Sequence, residues 1–579
     1  MATIQAKKTN GHKYWYIVES RRINGKPRPI VLEYLGKVDD LLKRLQGLTE
    51  GIKLKTYSHG LVSVLLDIAV KLDICSILNT YVSSARGYTA EKPIRNHLTA
   101  GATLMLAAIG RACTVTSKDS WAEWARTTSL EYLLRANFSK IDSQHFWDCM
   151  DSFPIDKIEN AELEILIKVF EQYQIKLDSL FYDTTNFYTY ISTTNSKCEI
   201  AKRGKNKQKR DDLRQIGLAL VVTKDTMIPL FHHSYEGNLN DSKVFKGIIE
   251  RIRDRLKVLG DDIKNHTIIF DRGNNSRKNI ALIESMHLNY VGALTPSHHK
   301  ELVFEASGSF QKCEVDDKFI YAYRTYRKIW DTDMTVVVLI SDKLQDGQIR
   351  GLYTSLSKCD RSISDINEAL SKLRPGSKKR NREQIEKKVQ DIICKYKLNK
   401  IVEFEALVDD ERCFGVSHNI RYDLLSKMEE TFGYRIIMTN RHEWSTPEII
   451  QAYHGQSFIE NTFKNMKNQK HLSFNPQFHW TDQKIIVHNF CCVIGYLLST
   501  IAFKIAKDKG FKGTMDSFLD SLSKIRLGTI LESTNKKGRP KAVYKLEEME
   551  TNEQILAEHL NITHLHENVY KPNGFSVYT

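Results

Sequence analysis

The chain has 579 residues, 41% hydrophobic and 27% charged, which suits a folded globular protein and excludes a disordered, collagenous or membrane chain. At roughly 150 residues per domain this length predicts about four domains, or three with one enlarged. The 85 Lys and Arg outnumber the 70 Asp and Glu to leave a formal net charge of +15. A surplus of that size predicts a polyanionic partner, with nucleic acid as the default. The 10 cysteines include no Cys-x-x-Cys pair and read as reduced thiols, with neither a zinc site nor a disulfide framework. The N-terminus lacks an apolar signal region. The longest apolar stretch, Ile485 to Ala502, is broken by His488 and Asn489 and runs into Lys504, so a buried helix is expected there, with no membrane partner. The expected location is the cytoplasm.

Residues 1–50 read as a small basic β unit. Tyr14–Val18 and Pro29–Leu32 flank Asn24-Gly25, a strong hairpin signal, and the surrounding Lys and Arg fit either a solvated edge or a DNA-contacting arm. Across 51–172 the apolar spacing is helical, as in Leu61-Val62-Val64-Leu65-Leu66 and Leu98-Ala102-Leu104-Met105, and predicts an all-helical domain suited to DNA binding. From 173 to 296 short strand-like runs take over: Ser179–Tyr182, Ile216–Val222, Ile228–Phe231 and His266–Phe270. A helix over Ser276–Met286 and a strand over Tyr290–Leu294 follow. That order predicts an α/β fold on a mixed sheet. Residues 297–433 are expected to interrupt the sheet with an insertion, β-rich at a hairpin around Asp331-Thr332-Asp333 and then helical and strongly charged. Eleven Lys and Arg lie between Lys372 and Lys400, forming either a solvated face or a phosphate contact. The sheet resumes at Tyr434–Met438 within a segment 434–510, and 511–579 reads as a helical tail.

Three carboxylates stand out by position. Asp183 ends the run SLFYD and Asp271 ends TIIFD, and an acidic residue at the exit of an apolar strand is poised where loops build sites. Taken alone, each Asp fits a helix N-cap or turn residue as well, but neighbouring strands would bring the two together, where they repel unless a divalent cation neutralises them. Mg²⁺ suits a site of few carboxylates plus substrate phosphate. The third is Glu460. A long helix is expected to start at Ser445, with Glu448 completing a capping box and Pro447 in the first turn. At ~100° per residue, Tyr453, Gln456, Glu460 and Lys467 share one stripe beside the apolar face of Ala452, Ile459, Phe463 and Met466.

Asp183 in FYDTTNFY, Asp271 in IIFDRGNNS and Glu460 in the spacing Tyr453-(2)-Gln456-(3)-Glu460-(6)-Lys467 resemble the DDE transposases of bacterial insertion sequences. The similar branch has an RNase H-like core, a β-rich insertion between the second Asp and the Glu, and a Y-(2)-R-(3)-E-(6)-K signature. Further likeness lies in 203–220, 229–242 and 434–444. Gln456 departs from the pattern by standing where the family has Arg, and Lys464, Lys467 and Lys470 are placed to compensate.

The resemblance implies an RNase H-like mixed sheet over 173–296 and 434–510. It also implies that Asp183, Asp271 and Glu460 are catalytic metal ligands for Mg²⁺, with Mn²⁺ able to substitute and two ions in the site. The implied activity is cleavage at the element's ends followed by strand transfer into target DNA. The alternatives are a nuclease of the same fold without strand transfer, or an inactive DNA-binding descendant. The implied partners are double-stranded DNA, as terminal inverted repeats and target, and a second copy of the chain on that DNA, in a bacterial or archaeal nucleoid. Tyr453, Gln456, Lys464 and Lys467 are the expected DNA contacts on the Glu-bearing helix. Lys205, Lys207, Lys209 and Arg210 belong to a basic segment that either grips DNA or is a solvated loop. Trp330, near the hairpin tip, either stacks on a base flipped out at the transposon end or simply packs against the hairpin.

Overall fold

In a computed structural model of the chain the described residues are 2–9, 12–23, 26–38, 52–82, 98–204, 210, 212–224, 226–259, 265–374, 377, 381–409, 412–475, 477–532, 541–568 and 570. Two units make up the fold: residues 1–154 with 469–472 and 501–579, and residues 155–468 with 473–500.

The first unit begins with three antiparallel strands, β1 (Ala2–Thr9), β2 (His12–Ile23) and β3 (Lys26–Gly36). β2 and β3 pair up to Ile23 and Lys26, and the Asn24-Gly25 turn lies outside the described residues. A fourth strand, β4 (Ile52–Ser58), precedes the helices Gly60–Lys71, Ile74–Tyr81, Ala100–Cys113 and Ser143–Ser152. The helix Ala100–Cys113 is buried almost all round, which its Ala and Gly content permits. A Cβ on Gly101 would stand 2.5 Å from the Cys75 carbonyl oxygen, so only glycine allows this approach. Thr99 caps the helix by accepting a hydrogen bond from the Ala102 amide.

The second unit is built on a nine-stranded mixed sheet with helices. Its strands are β5 (Ser179–Tyr188), β6 (Gln215–Thr223), β7 (Pro229–Glu236), β8 (Thr267–Phe270) and β9 (Asn289–Leu294). They continue with β10 (Gln311–Val315), β11 (Lys318–Ile329) and β12 (Thr332–Ile340). After a separate hairpin of β13 (Val402–Asp409) and β14 (Arg412–Ile420) the sheet takes up β15 (Tyr434–Thr439). The order across the sheet is β10-β11-β12-β15-β9-β8-β5-β6-β7, with β5, β8 and β9 parallel and the remaining pairs antiparallel. β6 is buried along its whole length, which is why it reads as the unbroken apolar run Ile216–Val222 rather than as alternation.

The stretch 297–433 leaves the sheet only after Ile340. β10, β11 and β12 extend the sheet because β12 pairs with β15 from Thr335–Thr439 to Ile340–Tyr434, and Val336, Val337 and Val338 are fully buried. What does leave is a helical subdomain: the helices Asp342–Ser371, Arg382–Lys395 and Tyr422–Glu429 with the β13–β14 hairpin. It has its own core of Ile363, Val389, Ile393 and Cys413 among others. The β13–β14 hairpin was hidden in the sequence by the charged run beside it.

A buried ionic group ties this unit together near β7. Glu162 accepts from Arg255 and pairs with His232 Nδ1 at 2.6 Å, and Arg255 also donates to the Leu230 carbonyl at 2.7 Å. The helix Asp482–Asp508 is long and apolar enough to cross a membrane, but its most apolar window is 94% buried within the protein.

In the first unit the C-terminal stretch 511–579 is not wholly helical. β16 (Arg526–Glu532) and β17 (Lys541–Leu546) join β4 in a three-stranded antiparallel sheet. β4 is the partner of β16 from Ile52 to Ser58, too distant along the chain for a local pattern to announce.

Candidate active site

The first two acidic residues are brought together by register. β5 and β8 run side by side and parallel, pairing from Ser179–Thr267 to Tyr182–Phe270. Asp183 and Asp271 each follow the last paired residue, on backbones that neighbouring strands hold ~4.8 Å apart. Asp183 does not end its strand, as the sequence suggested. β5 continues to Tyr188, with Asp183 opposite Leu220 of β6, because β6 is long enough to carry the ladder further. Asp183 accepts from the Thr184 amide and Asp271 from the Arg272 amide, each at 2.7 Å, and Asp271 thereby caps the short turn Arg272–Asn274.

The third carboxylate lies where the sequence pattern predicts one long helix and the structure has two. Ser445 and Glu448 do form the capping box at its start. The helix Thr446–His454 then stops at Gly455, and a second helix, Gln456–Met466, carries Glu460. The break sits against β5. A Cβ on Gly455 would lie 2.5 Å from Phe181 Cζ, and Phe458 packs on the Phe181 ring at 5.7 Å between centroids. Ile459, Phe463 and Met466 form the buried side of this second helix.

A cavity of about 270 Å³ collects the result: Asp183, Asp271 and Glu460 line it, together with Gln456, Lys464 and Lys467. Lys467 caps the end of the helix, donates to Thr185 Oγ1 at 2.5 Å and stands 5.4 Å from the Phe187 ring centroid. Tyr453, on the other side of the Gly455 break, does not line this cavity. It lines a larger one whose wall also includes Asp271. Burial pushes the Tyr453 phenol up to about 12, so it stays protonated and keeps its O–H to donate.

The donor set is all oxygen and anionic, which matches a hard divalent cation rather than zinc or copper. Among the described residues no group of three or more His, Cys, Asp and Glu is drawn close enough to hold an ion as it stands. The carboxylates line one cavity without closing into a cluster. Gln456 Nε2 is buried with no hydrogen-bond partner among the described residues, and an orphaned donor of that kind is costly unless a ligand supplies the acceptor.

The remaining expected residues are dispersed. Trp330 and Asp331 form the two-residue turn between β11 and β12, with φ of +53° and +64°, and Asp331 pairs with Arg277. Arg210 is exposed and pairs with Asp212 at 2.8 Å. Lys205, Lys207 and Lys209 lie outside the described residues. Arg214, a few residues further on, donates to the Asn195 and Thr193 carbonyls, each at 3.1 Å, and so braces the loop before it. Sequence reasoning missed Thr185 and Arg272. Thr185 lies two residues past Asp183 within β5 and Arg272 directly follows Asp271, but neither residue type signals a role without the cavities.

The model of the transposase DDE domain matches residues 181–477, just over half of the chain and a span that holds all three carboxylates. The chain belongs to the DDE transposase family. A second model, the N-terminal domain of IS1634 family transposases, matches residues 2–57, which makes this the transposase of an insertion sequence. Among solved structures, the transposase is similar to a piggyBac transposase from a cryo-EM synaptic complex with hairpin DNA. The TM-score is 0.37 and the identity 9%, over 79% of each chain. No curated protein matches. The family makes the transposase an enzyme that acts on DNA and depends on divalent metal.

Proposed function

We propose that the transposase cuts phosphodiester bonds at the ends of its element and joins the freed 3′-OH to target DNA, using Asp183, Asp271 and Glu460 as ligands for two Mg²⁺ ions, with Mn²⁺ able to substitute. The observation that carries this reading is the parallel register of β5 and β8, which sets Asp183 beside Asp271 on the wall that Glu460 also lines. The sub-order β7-β6-β5-β8-β9, three antiparallel strands followed by two parallel ones, supports an RNase H-like core.

Bound there, the ions would stabilise the attacking and leaving oxygens of an in-line displacement at phosphorus. The chain supplies the rest by positioning and electrostatics. Gln456 Nε2 donates to a phosphate oxygen where the family uses a guanidinium, trading a fixed charge for a neutral hydrogen bond. Lys464 and Lys467 face the same cavity and neutralise phosphate charge, and Thr185 holds the Lys467 ammonium at the rim. Tyr453 donates its O–H to the strand on the other side of Asp271. Trp330, held at the hairpin tip, stacks on an unpaired base at the element's end. The basic strands of 1–50, the helices of 51–172 and the segment around Arg210 read the terminal repeats, and two copies pair when two ends are brought together.

A cleavage assay tests this with DNA spanning the gene and its flanks. Wild-type protein is expected to cut at the element boundaries only with Mg²⁺ or Mn²⁺, while Asp183→Asn, Asp271→Asn and Glu460→Gln bind the same DNA and do not cut. Normal cutting by any of the three would remove that residue from the metal site. Cutting without joining would point to a nuclease.

A further inference from the structure

The larger cavity, about 1120 Å³, lies between the sheet and the helical subdomain, and nothing in the catalytic reading uses most of it. Six cations line it: Arg272, Lys300, Lys397, Lys400, Lys427 and Arg435. Among the described residues the single carboxylate on its wall is Asp271. Among the described residues only Lys300 of these six has an ion-pair partner, Glu430 at a long 3.8 Å. Arg435 instead lies over the Tyr453 ring, 5.6 Å from its centroid. A concave surface with this many unneutralised cations raises the local concentration of anions and is relieved by a polyanion.

Two further details narrow the occupant. A volume just above the 300–1,000 Å³ range of small-molecule pockets admits a few nucleotides of one strand but not a duplex. Phe432 and Tyr434 on the wall are half-buried, Phe432 packed on the subdomain core and Tyr434 stacked on Phe310, so each ring keeps at most one face for an unpaired base. Lys397 is also held at φ +59°, just past the helix Arg382–Lys395, where the Leu398 and Lys397 amides close back on Ile393 and Cys394. Glycine is the residue this helix ending prefers, and the chain carries there a lysine that lines the cavity.

Resting on the catalytic reading above, we infer that this cleft binds a single-stranded stretch of DNA next to the phosphate being cut, gripping its backbone with Lys397, Lys400, Lys427 and Arg435 and delivering it past Asp271 into the carboxylate cavity. The helical subdomain would then be a strand clamp that keeps melted DNA from re-pairing at the reacting end.

The test is fluorescence anisotropy of the full chain with a labelled oligo-dT strand and with a duplex of equal length, over a salt series. Wild type is expected to bind the single strand. The double variant Lys400→Gln with Lys427→Gln should bind it several-fold more weakly, with a salt slope lower by about 1.4, while duplex affinity stays near wild type. Lys397→Gly should raise the melting temperature and still weaken oligo-dT binding, a combination that misfolding does not produce. Unchanged oligo-dT affinity in these variants, equal losses on the duplex, or no oligo-dT binding by wild type would each overturn the inference. Asp271→Asn separates the two readings. Loss of cleavage with oligo-dT binding retained supports both, and retained cleavage sinks the metal-site assignment while the oligo-dT result still decides the cleft.

Discussion

Gln456 is where a single residue changes most about this site. Among the described residues its Nε2 has no hydrogen-bond acceptor, and it lines the cavity with the three carboxylates. Replacing it with arginine puts a fixed positive charge on the wall that the three carboxylates share. Gln456→Arg is therefore expected to tighten binding to the element's ends and steepen its salt slope by about 0.9, and Gln456→Ala to slow cleavage with little change in that slope. Lys467→Ala removes a cation from the same wall and should lower the slope by about one, as a filter-binding titration at several salt concentrations would show. An unchanged slope would make Lys467 a structural residue that holds Thr185 rather than a phosphate contact. At Lys397 the positive φ costs a non-glycine residue about 1–2 kcal/mol. Lys397→Gly is thus expected to stabilise the fold by about 1 kcal/mol in urea unfolding, and no gain would show that the lysine side chain stabilises the turn.

At the scale of elements, the break at Gly455 aims Glu460. An unbroken helix would carry Tyr453, Gln456, Glu460 and Lys467 on one stripe. The break instead sends Tyr453 to the larger cavity and leaves the other three with Asp183 and Asp271. Gly455→Ala drives a methyl group to 2.5 Å from Phe181 Cζ, an atom of the strand that bears Asp183. The helix must shift, at a cost of about 1–3 kcal/mol. The expected result is reduced cleavage with DNA affinity retained, and full activity would mean that the break does not set the geometry. The β11–β12 hairpin shows a different economy. Both turn residues have φ above zero, as the favoured two-residue turn demands, but they are Trp330 and Asp331 rather than Asn-Gly. The Arg277 ion pair on Asp331 helps to hold the turn.

At the scale of the molecule, each unit has its own response to acid. In the second unit burial pushes the Glu162 carboxyl up, but Arg255 and His232 outweigh it and hold the group below the usual carboxylate range. A depressed carboxylate stabilises the fold above its unfolded pKa, and that contribution is lost as pH falls through the folded value. Arg255→Met strands the buried carboxylate and should cost about 3–5 kcal/mol near neutral pH. In the first unit His59 is buried, with Nδ1 2.8 Å from Ser129 Oγ, and burial first and His566 second press it down to about 3. It stays neutral when folded and takes up a proton when unfolded below about 6.5, so this unit should lose about 2 kcal/mol between pH 7 and pH 5. His59→Gln should flatten that dependence in calorimetry, and an unaltered pH profile would show that His59 does not control it.

The sequence by itself determined the class of the chain, the mixed α/β character of its centre and the family. These rest on local signals: apolar runs closed by Asp183 and Asp271, a capped helix start at Ser445, and a positive surplus that calls for a polyanion. Only the tertiary structure decided how far the sheet extends, since β12 finds β15 across nearly a hundred residues and β4 finds β16 across more than four hundred. It alone placed the Gly455 break against Phe181 of β5, a close approach that the residues around Gly455 do not announce. It also gathered Lys397, Lys400 and Lys427 from a charged run and a distant helix onto one wall. Hydrophobic pattern and turn chemistry are written residue by residue, whereas register, close approach and the convergence of charges depend on partners that chain order does not reveal.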